Sequence, residues 1–391
     1  MARIAFFSIP AHGHTNPTLG VVKELVRRGH EVLYYSYEPF REKIEAAGAR
    51  FIPCDAFDAE LRLTPEEAAR LGSDLALSTR VLVDTTLSLD EMVCREMEAL
   101  KPDCIVADSM AVWGKAVAKK LGIPFVSSTT TFAFNEHSAK IMKQSFRELI
   151  SMLLAMPKIQ KDLKRLQVKG YPIKNILEII SNDDATDTIV YTSREFQPFS
   201  ETFSEKYAFV GPALRPVESP VEKTREKLVY VSMGTVNNNL LPLYRSCIEA
   251  LGDTGWQVIL SVGSQVALST FGTLPENVEV YASVDQIAVL EKADVFFTHC
   301  GMNSVSEALY FGVPLAMLPK TKEQEGVAER VRQLGAGIVL KGTSAETIRS
   351  AVDQLLSNSS CRKKAAQISA GFRSCGGAWA AADKIESCFR F

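Results

Sequence analysis

Two residues that together could act as a general base follow predicted strands in the first half of the sequence. His14 lies in the segment 10–17, just after a predicted strand at 3–9, and Asp108 ends another predicted strand at 104–108. In open α/β sheets ligands bind beyond the carboxyl ends of the strands, so these side chains can meet there. Histidine removes protons near neutral pH, and a carboxylate fixes its tautomer and stabilises the imidazolium. A helix N-cap for Asp108 and a loop hydrogen bond for His14 stay open as alternatives.

The second half contains a pattern suited to binding an anion. A predicted strand at 295–299 ends in His299, Gly301 makes a tight turn, and a helix is predicted to begin at about Asn303. The first turn of a helix presents N–H groups and a partial positive charge, which bind phosphate. Ser304 adds a side-chain donor, and Glu307, one turn into the helix, can accept hydrogen bonds from two ribose hydroxyls.

A second glycine turn follows the first strand of this half and contains Ser232, Gly234 and Thr235. Capping is the default interpretation of either glycine turn alone, but on the same sheet edge the two favour a nucleotide diphosphate site. The sequence does not support two other kinds of phosphate-binding loop, the dinucleotide-binding loop and the P-loop. The segment after the first strand has a single glycine, Gly13, in place of G-x-G-x-x-G, and the chain has no P-loop sequence.

Short apolar runs alternate with helical patterns along the chain. They cover 3–9, 32–36, 50–53, 104–108, 124–127 and 188–192 in the first half, and 228–234, 256–263, 278–282, 295–299, 314–319 and 337–340 in the second. The runs lack strict polar alternation, as expected of strands that are covered on both faces. Strand–helix alternation predicts parallel sheets with right-handed crossovers, and hence an α/β protein with two Rossmann-like domains.

The punctuation of the sequence suggests where elements begin and end. The first helix is predicted to have Asn16 as its cap and Pro17 in its first turn, and to end at Gly29. The proline-rich segment 211–220 is the predicted domain boundary. The stretches 58–100 and 135–180 look helical and are interpreted as helices packed on the first domain, as an apolar wall over a substrate pocket, or as both.

Composition narrows the class of protein. The chain has 391 residues, which favours two domains, and a formal net charge of −2, which gives no support for nucleic-acid binding through a broad basic field. Its apolar runs are too short for a membrane helix, and its first residues do not resemble an export signal. The eight cysteines have no CxxC spacing, so we expect reduced thiols, no zinc site and a cytoplasmic protein.

With these motifs the chain resembles the GT-B-fold glycosyltransferases that use nucleotide sugars, especially the bacterial macrolide and flavonoid UDP-glycosyltransferases. The resemblance covers nearly the whole chain and rests on residues 12–17 (His-Gly-His-Thr-Asn-Pro) and on the more specific block from His299 to Gly335. It implies two facing Rossmann-like domains with parallel sheets. The acceptor-binding domain would be 1–211 and the nucleotide-sugar-binding domain 221–377, with the last helix, 378–391, packed back on the first domain.

The resemblance also implies roles for individual residues. His14 would be the catalytic base and Asp108 its partner, while His299 would contact the pyrophosphate and Gln286 would lie near the uracil. Glu323 and Gln324 would lie near the sugar hydroxyls. The implied donor-binding set is Ser232, Gly234, Thr235, Ser283, Val284, Gln286, His299, Gly301, Asn303, Ser304, Glu307, Glu323 and Gln324.

Three positions depart from the family pattern. Ser283 stands where many members stack a tryptophan on the uracil, Glu323 replaces an aspartate, and Val327 replaces an asparagine. Backbone groups or another side chain must then hold the uracil. The changes weaken any assignment of the transferred sugar.

The implied reaction is a single inverting displacement that moves a hexose, expected to be glucose, from a UDP-sugar to a hydroxyl of a macrolide, flavonoid or other polyphenol. No cofactor or essential metal is expected, because the helix at Asn303 and His299 would stabilise the departing diphosphate. Asp183, Asp184 and Asp187 fall in a predicted loop rather than in an Asp-x-Asp at a strand end.

The acceptor is less determined by the sequence. Thr129, Phe132 and Phe134 follow a predicted strand and could form an apolar acceptor pocket, although the two aromatic rings are equally well explained as core. Two alternatives to a glycosyltransferase stay open: a non-catalytic nucleotide-sugar-binding helper, and a sugar-nucleotide epimerase of the same fold. Retention of His14 and Asp108 argues against the helper.

Overall fold

The computed structural model describes residues 1–55, 64–70, 74–135, 137, 146–173, 175, 178, 185–217, 219–234 and 238–389. The chain divides into two compact units: unit 1 comprises Met1–Ala213 with Gly376–Phe391, and unit 2 comprises Leu214–Cys375. The division after Ala213 falls inside the proline-rich segment 211–220.

Unit 1 is built on a parallel sheet with helices in the connections. Its strands are β1 (Arg3–Phe7), β2 (Glu31–Ser36), β3 (Arg50–Pro53), β4 (Cys104–Asp108), β5 (Phe125–Thr129), β6 (Asp187–Val190) and β7 (Tyr207–Phe209). Its helices are α1 (His12–Arg27), α2 (Arg41–Ala46), α3 (Pro65–Arg70), α4 (Leu75–Leu100), α5 (Val112–Leu121) and α6 (Phe146–Val168), with 3₁₀ turns at Glu38–Phe40 and Ser200–Thr202. The strand order is β3-β2-β1-β4-β5-β6-β7.

Unit 2 repeats the architecture with a second parallel sheet. Its strands are β8 (Leu228–Ser232), β9 (Gln257–Ser261), β10 (Val278–Tyr281), β11 (Val295–Thr298), β12 (Leu315–Met317) and β13 (Gly337–Val339). Its helices are α7 (Leu241–Leu251), α8 (Gln286–Lys292), α9 (Met302–Tyr310), α10 (Lys322–Gln333), α11 (Ala345–Ser357) and α12 (Ser359–Ser374), with a 3₁₀ turn at Leu268–Phe271. The strand order is β10-β9-β8-β11-β12-β13.

Each sheet is the hydrophobic centre of its own unit. All five residues of β4 and of β8 are buried, as continuous apolar runs covered on both faces should be. The rings of Tyr230 and Phe296 stack across β8 and β11 with their centroids 4.9 Å apart. The predicted α/β fold with two parallel Rossmann-like sheets is therefore confirmed.

The strand orders define one switch point in each sheet. In unit 1 the chain order reverses between β1 and its other neighbour β4, and in unit 2 between β8 and β11. A crevice opens at such a point beyond the carboxyl ends of the strands, and ligands bind there in open α/β sheets. The loops after β1 and β4 therefore border the crevice of unit 1, and the loops after β8 and β11 border that of unit 2.

The predicted start of the first helix is wrong. Helix α1 begins at His12 with Ala11 as its N-cap, so Asn16 and Pro17 lie inside the helix rather than at its start. The backbone N–H groups of His14 and Thr15 both donate to the Ala11 carbonyl, at 3.0 Å each, and close the earlier turn. His14 consequently lies on the first helical turn, which fixes its backbone more firmly than a loop would.

Two smaller differences concern strand ends. The sequence did not predict β7, a three-residue strand at the sheet edge whose short Tyr-Ala-Phe run gives little periodicity. Asp187 opens β6 instead of lying in a loop, and its carboxylate accepts hydrogen bonds or ion pairs from Lys206 at 2.9 Å and Lys384 at 2.6 Å. Asp183 and Asp184 lie outside the described residues.

The last helix, α13 (Gly377–Ser387), packs on α1 within unit 1. Arg28, the C-cap of α1, donates to Asp383 at 2.5 Å and to the buried carboxylate of Glu386 at 2.9 Å. His30 reaches the other oxygen of Glu386 at 2.7 Å. These charge-assisted contacts tie the end of the chain to the helix that carries His14.

All eight cysteines are free thiols. Among the described residues, no helix combines the length and the apolar character that a membrane span requires.

Candidate active site

The unit 1 switch point brings His14 and Asp108 together. The two residues come from adjacent elements, since β1 leads into α1 and β4 pairs with β1 through Phe7 and Ala107. Nδ1 of His14 lies 2.8 Å from Oδ2 of Asp108. The carboxylate is buried, whereas the imidazole keeps 20% of its side-chain surface exposed. This arrangement suits a general base, because the buried carboxylate orients the imidazole while part of the ring stays exposed to solvent.

The hydrogen bonds of Asp108 fix the tautomer of His14. The other carboxylate oxygen, Oδ1, accepts from the backbone N–H of Met110 at 2.8 Å, which leaves Oδ2 directed at the imidazole. An ionised carboxylate only accepts, so Nδ1 carries the proton and Nε2 is the basic nitrogen. The alternative role of Asp108 as a helix N-cap is not what the structure shows, because Ala111 caps α5.

Unit 2 holds His299 between two glycines at its own switch point. His299 directly follows β11, and Gly234 follows β8, which pairs with β11. A Cβ atom on Gly234 would lie 2.6 Å from Cε1 of His299, and one on Gly301 would lie 2.9 Å from Nε2. No ordinary Cβ contact is that short, so the position of the ring requires glycine on both sides. Gly234 also has φ of +81°, which favours glycine for a second reason.

Burial keeps His299 neutral. Burial first, and the nearby positive charge of Lys320 second, lower the pKa of the imidazole to about 4. Its Nδ1 is buried and has no hydrogen-bond partner among the described residues. A neutral imidazole at this place serves as a hydrogen-bonding group rather than as a base at neutral pH.

Helix α9 begins beside His299, close to the predicted position. Gly301 is its N-cap and supplies no side-chain oxygen to the N–H groups of the first turn, which contains Asn303 and Ser304. Those N–H groups and the helix dipole favour a bound anion.

Gln286 and Glu307, each predicted to contact the nucleotide, also belong to one hydrogen-bond network. Nε2 of Gln286, the first residue of α8, donates to Glu307 at 2.5 Å and to Oγ of Ser304 at 3.2 Å. Its Oε1 accepts from the hydroxyl of Tyr230 at 3.3 Å. Burial raises the pKa of Glu307 to about 6, against the opposing effects of Gln286 and Arg215. The carboxylate is thus mostly ionised at neutral pH and already oriented by the amide.

The other predicted donor residues spread along the same sheet edge. Ser232 is the buried last residue of β8, whereas Ser283 is exposed and Val284 half-buried in the loop before α8. Glu323 and Gln324 lie in the first turn of α10, where Thr321 accepts from the Gln324 N–H at 3.3 Å. Thr235 lies outside the described residues.

Comparison with known proteins places the chain in a family. A family model for the C-terminal domain of erythromycin biosynthesis protein CIII-like proteins matches residues 245–375. The chain is 35% identical over 397 residues to the NDP-glycosyltransferase YjiC of Bacillus licheniformis, covering 98% of this chain and 97% of that protein. The chain belongs to the bacterial macrolide and natural-product UDP-glycosyltransferase family.

Further relatives of this glycosyltransferase agree over its whole length. YojK of Bacillus subtilis, an uncharacterized UDP-glucosyltransferase, is 32% identical, with 98% of this chain and 97% of that protein covered. The crystal structure of the kitacinnamycin glycotransferase superposes with a TM-score of 0.87 at 28% identity, over 100% of this chain and 99% of that one. The predicted GT-B fold is therefore confirmed.

Two residues of the glycosyltransferase site were missed by the sequence. Thr130, buried and directly after β5, places its Oγ1 3.2 Å from Nδ1 of His14. Lys320 follows β12 and presents its charge towards His299, and its backbone N–H donates to Oε1 of Gln324 at 2.8 Å. Both follow strands, so the sheet-edge rule that selected Asp108 and His299 could have found them.

The predicted acceptor residues divide between interior and surface. Thr129 is buried as the last residue of β5, whereas Phe132 and Phe134 are half-buried in the following loop. Phe132 packs on the buried Phe196 with ring centroids 5.6 Å apart. Gln197 fixes this loop, since its side chain accepts from the Ala133 N–H at 2.9 Å and donates to the Ala133 carbonyl at 3.0 Å. One face of Phe132 is thus core, which the sequence had left as an even alternative.

In the part of the chain that the structure describes, no three His, Cys, Asp or Glu side chains are grouped as metal ligands would be. The positive charge of Lys320 acts on His299 and that of Arg215 acts on Glu307, and Arg215 also pairs with the helix-capping Asp285 at 2.7 Å.

Proposed function

We propose that this glycosyltransferase moves a hexose, with glucose as the expected sugar, from a UDP-sugar to a hydroxyl group of a small apolar acceptor, with inversion at the anomeric carbon. The observation that carries the proposal is the 2.8 Å contact between His14 and Asp108 at a sheet switch point, in a chain whose family transfers sugars. The name of the Bacillus subtilis relative supports UDP-glucose as the first donor to test.

The base acts in a single displacement. Nε2 of His14 removes the proton of the acceptor hydroxyl, the oxygen bonds to the anomeric carbon, and the bond from that carbon to the diphosphate oxygen breaks. The leaving diphosphate takes the electron pair. Asp108 stabilises the imidazolium that forms, and its carboxylate does so without itself taking the proton.

Unit 2 supplies the groups that bind the donor. The first turn of α9, the neutral His299 and the charge of Lys320 stabilise the diphosphate, on which negative charge grows as the bond breaks. Glu307, held by Gln286, accepts from the ribose hydroxyls. Because these groups already neutralise the leaving group, we expect transfer without a metal or another cofactor, and activity that survives EDTA.

Ser283, Glu323 and Val327, the three departures from the family pattern, affect how uracil and the sugar are recognised. The exposed Ser283 offers no stacking ring, so hydrogen bonds of the loop before α8 must hold the uracil. Val327 is buried in α10 and cannot contact a sugar, which leaves Glu323 and Gln324 for the sugar hydroxyls. On the acceptor side, Thr129, Phe132 and Phe134 lie at the edge of the unit 1 sheet that carries His14. Their partly apolar character suits a macrolide or flavonoid.

A transfer assay tests the whole proposal. The wild-type protein and His14→Ala are incubated with UDP-glucose or TDP-glucose and a panel of macrolides and flavonoids. We expect glycoside formation with β configuration by proton NMR, and a loss of about 10²- to 10⁴-fold in kcat for the variant. Full activity of His14→Ala overturns the assigned base, and UDP binding without turnover of any pair supports a helper instead. Interconversion of UDP-sugars without an acceptor supports an epimerase.

A further inference from the structure

The same nitrogen of His14 faces two oxygens. Nδ1 lies 2.8 Å from Oδ2 of Asp108 and 3.2 Å from Oγ1 of Thr130. Asp108 ends β4 and Thr130 directly follows the neighbouring strand β5, and the two strands pair with Asp108 opposite Ser128. The pairing continues one step beyond, where the Ser109 N–H donates to the Ser128 carbonyl at 2.9 Å. The sheet itself therefore sets the spacing between the carboxylate and the hydroxyl.

The tautomer of His14 decides which group donates in its hydrogen bond with Thr130. Nδ1 carries its single proton towards the ionised Asp108, so it has no lone pair left to accept one from a hydroxyl. The Oγ1 of Thr130 consequently accepts a weaker share of the same N–H, in a three-centre hydrogen bond. Two acceptors on one side restrict rotation of the ring about its Cβ–Cγ bond. Thr130 is itself buried and branched at Cβ, which restricts its own χ1.

We propose that Thr130 is a positioning residue for His14: its hydroxyl oxygen accepts from Nδ1–H and holds the imidazole in the tautomer and orientation that direct Nε2 at the acceptor hydroxyl. This inference rests on the proposed function, in which His14 is the base. The hydroxyl also stabilises the imidazolium, because an N–H bears more positive charge after Nε2 is protonated, and hydrogen bonds to charged groups are the stronger ones.

Thr130→Val tests the proposal, since valine keeps the shape and removes the oxygen. We expect kcat to fall about threefold to tenfold, with the KM values of donor and acceptor unchanged. The apparent pKa of the base in the pH profile of kcat should fall, because the imidazolium has lost a hydrogen-bond acceptor. Thr130→Ser, which restores the oxygen, is expected to recover both the rate and the profile. A role in packing alone would lower the rate of both variants without moving the profile.

The matched control is Thr131→Val, one residue along. Its hydroxyl donates to the Phe132 carbonyl at 3.3 Å rather than contacting His14, so we expect the wild-type pH profile. A wild-type rate and profile in Thr130→Val overturn the proposal, as does an equal shift in Thr131→Val.

A titration of the protein without substrates separates this inference from the proposed function. The His14 ring protons are followed by NMR against pH in the wild type and in Thr130→Val. A lower pKa of His14 in the variant supports the Thr130 contact even if the protein transfers no sugar. An unchanged pKa overturns it even if transfer is fast.

Discussion

His14 and His299 occupy corresponding places in the two sheets, yet their surroundings suit opposite tasks. Each lies beyond the carboxyl end of a strand at the switch point of its sheet. His14 has a buried carboxylate on Nδ1 and one side open. His299 is enclosed by glycines, and the described residues place no hydrogen-bond partner on its Nδ1. The topology alone would not distinguish them.

The difference shows that neighbours, not position, decide what a histidine can do. A carboxylate favours the charged imidazolium, so His14 can take a proton during the reaction. Burial and the Lys320 charge disfavour it, so His299 stays a neutral hydrogen-bonding group. Swapping these environments, one group at a time, is the way to test the comparison.

The largest effect is expected from Asp108→Asn, which removes the feature that His14 has and His299 lacks. The amide keeps the size but no longer stabilises the imidazolium and also favours the wrong tautomer. We expect kcat to fall about 10²- to 10³-fold, with the affinity for UDP unchanged by calorimetry.

Asp103→Asn is the control for this variant. Asp103 lies at the opposite end of the same strand, where it accepts from the Arg3 N–H at 2.7 Å. It should leave kcat close to wild type. A slow Asp103→Asn would mean that the strand, and not the base, had been damaged.

Gly234→Ala replaces one of the two glycines that enclose the imidazole of His299. The added methyl group would lie 2.6 Å from Cε1, so the ring must move from the place in which we propose that it contacts the diphosphate. Because the displaced imidazole no longer contacts the donor, we expect UDP to bind about 10- to 100-fold more weakly. This corresponds to a loss of about 1.4 to 2.8 kcal/mol in binding free energy. Gly122→Ala, in unit 1, also has a left-handed φ, of +67°, but no atom lies within 4 Å of the new Cβ. Equal losses in both variants would assign the effect to backbone strain.

The pH dependence of stability should report the neutral state of His299. A folded pKa of about 4 lies below the usual 6.5, so the unfolded chain binds the proton more readily. The contribution of His299 to the unfolding free energy is complete above pH 6.5 and is lost as the pH falls towards 4. The loss is up to about 3 kcal/mol.

Urea unfolding of the wild type and of His299→Asn, at pH 7 and at pH 4.5, measures this contribution. The variant should lose less stability between the two values. Parallel losses would show that His299 titrates normally, which removes the contrast with His14.

Each of the twelve predicted strands ends within two residues of an observed strand end, and both histidines lie beyond the carboxyl ends of strands, as predicted. Apolar runs that end in a polar residue located Asp108 and His299, because parallel strands must deliver their last residues to one edge. The sequence was not sufficient for the start of α1. Asn16 and Pro17 are strong local signals, but the bonds to the Ala11 carbonyl start the helix five residues earlier.

Contacts between distant elements were the other gap. Gln286 and Glu307 were each matched with part of the nucleotide, but the hydrogen bond between them across α8 and α9 was not predicted. Three consecutive threonines, 129–131, span the end of β5, and the sequence does not show that Thr130, the first residue after the strand, is the one that contacts His14. Spacing cannot show such choices, because a shift of one residue turns a side chain to the other face.

Lys320→Met is expected to have the smallest effect, and it tests how much the Lys320 charge contributes to donor binding and to the low pKa of His299. Its charge lies at the end of β12, beside β11, where Leu318 still pairs with the Thr298 carbonyl at 2.9 Å. Methionine keeps the chain length, and the lost attraction at an exposed position is about 1 kcal/mol, or roughly fivefold in the affinity for UDP. Uridine, which lacks phosphate, should bind both proteins equally by calorimetry. Lys341→Met, just beyond the next strand at the same sheet edge, controls for the loss of any positive charge in this region. An equal loss of UDP affinity in that variant would show that Lys320 makes no specific contact. The NMR pKa of His299 should rise in Lys320→Met alone, since the charge that opposes its protonation is then gone.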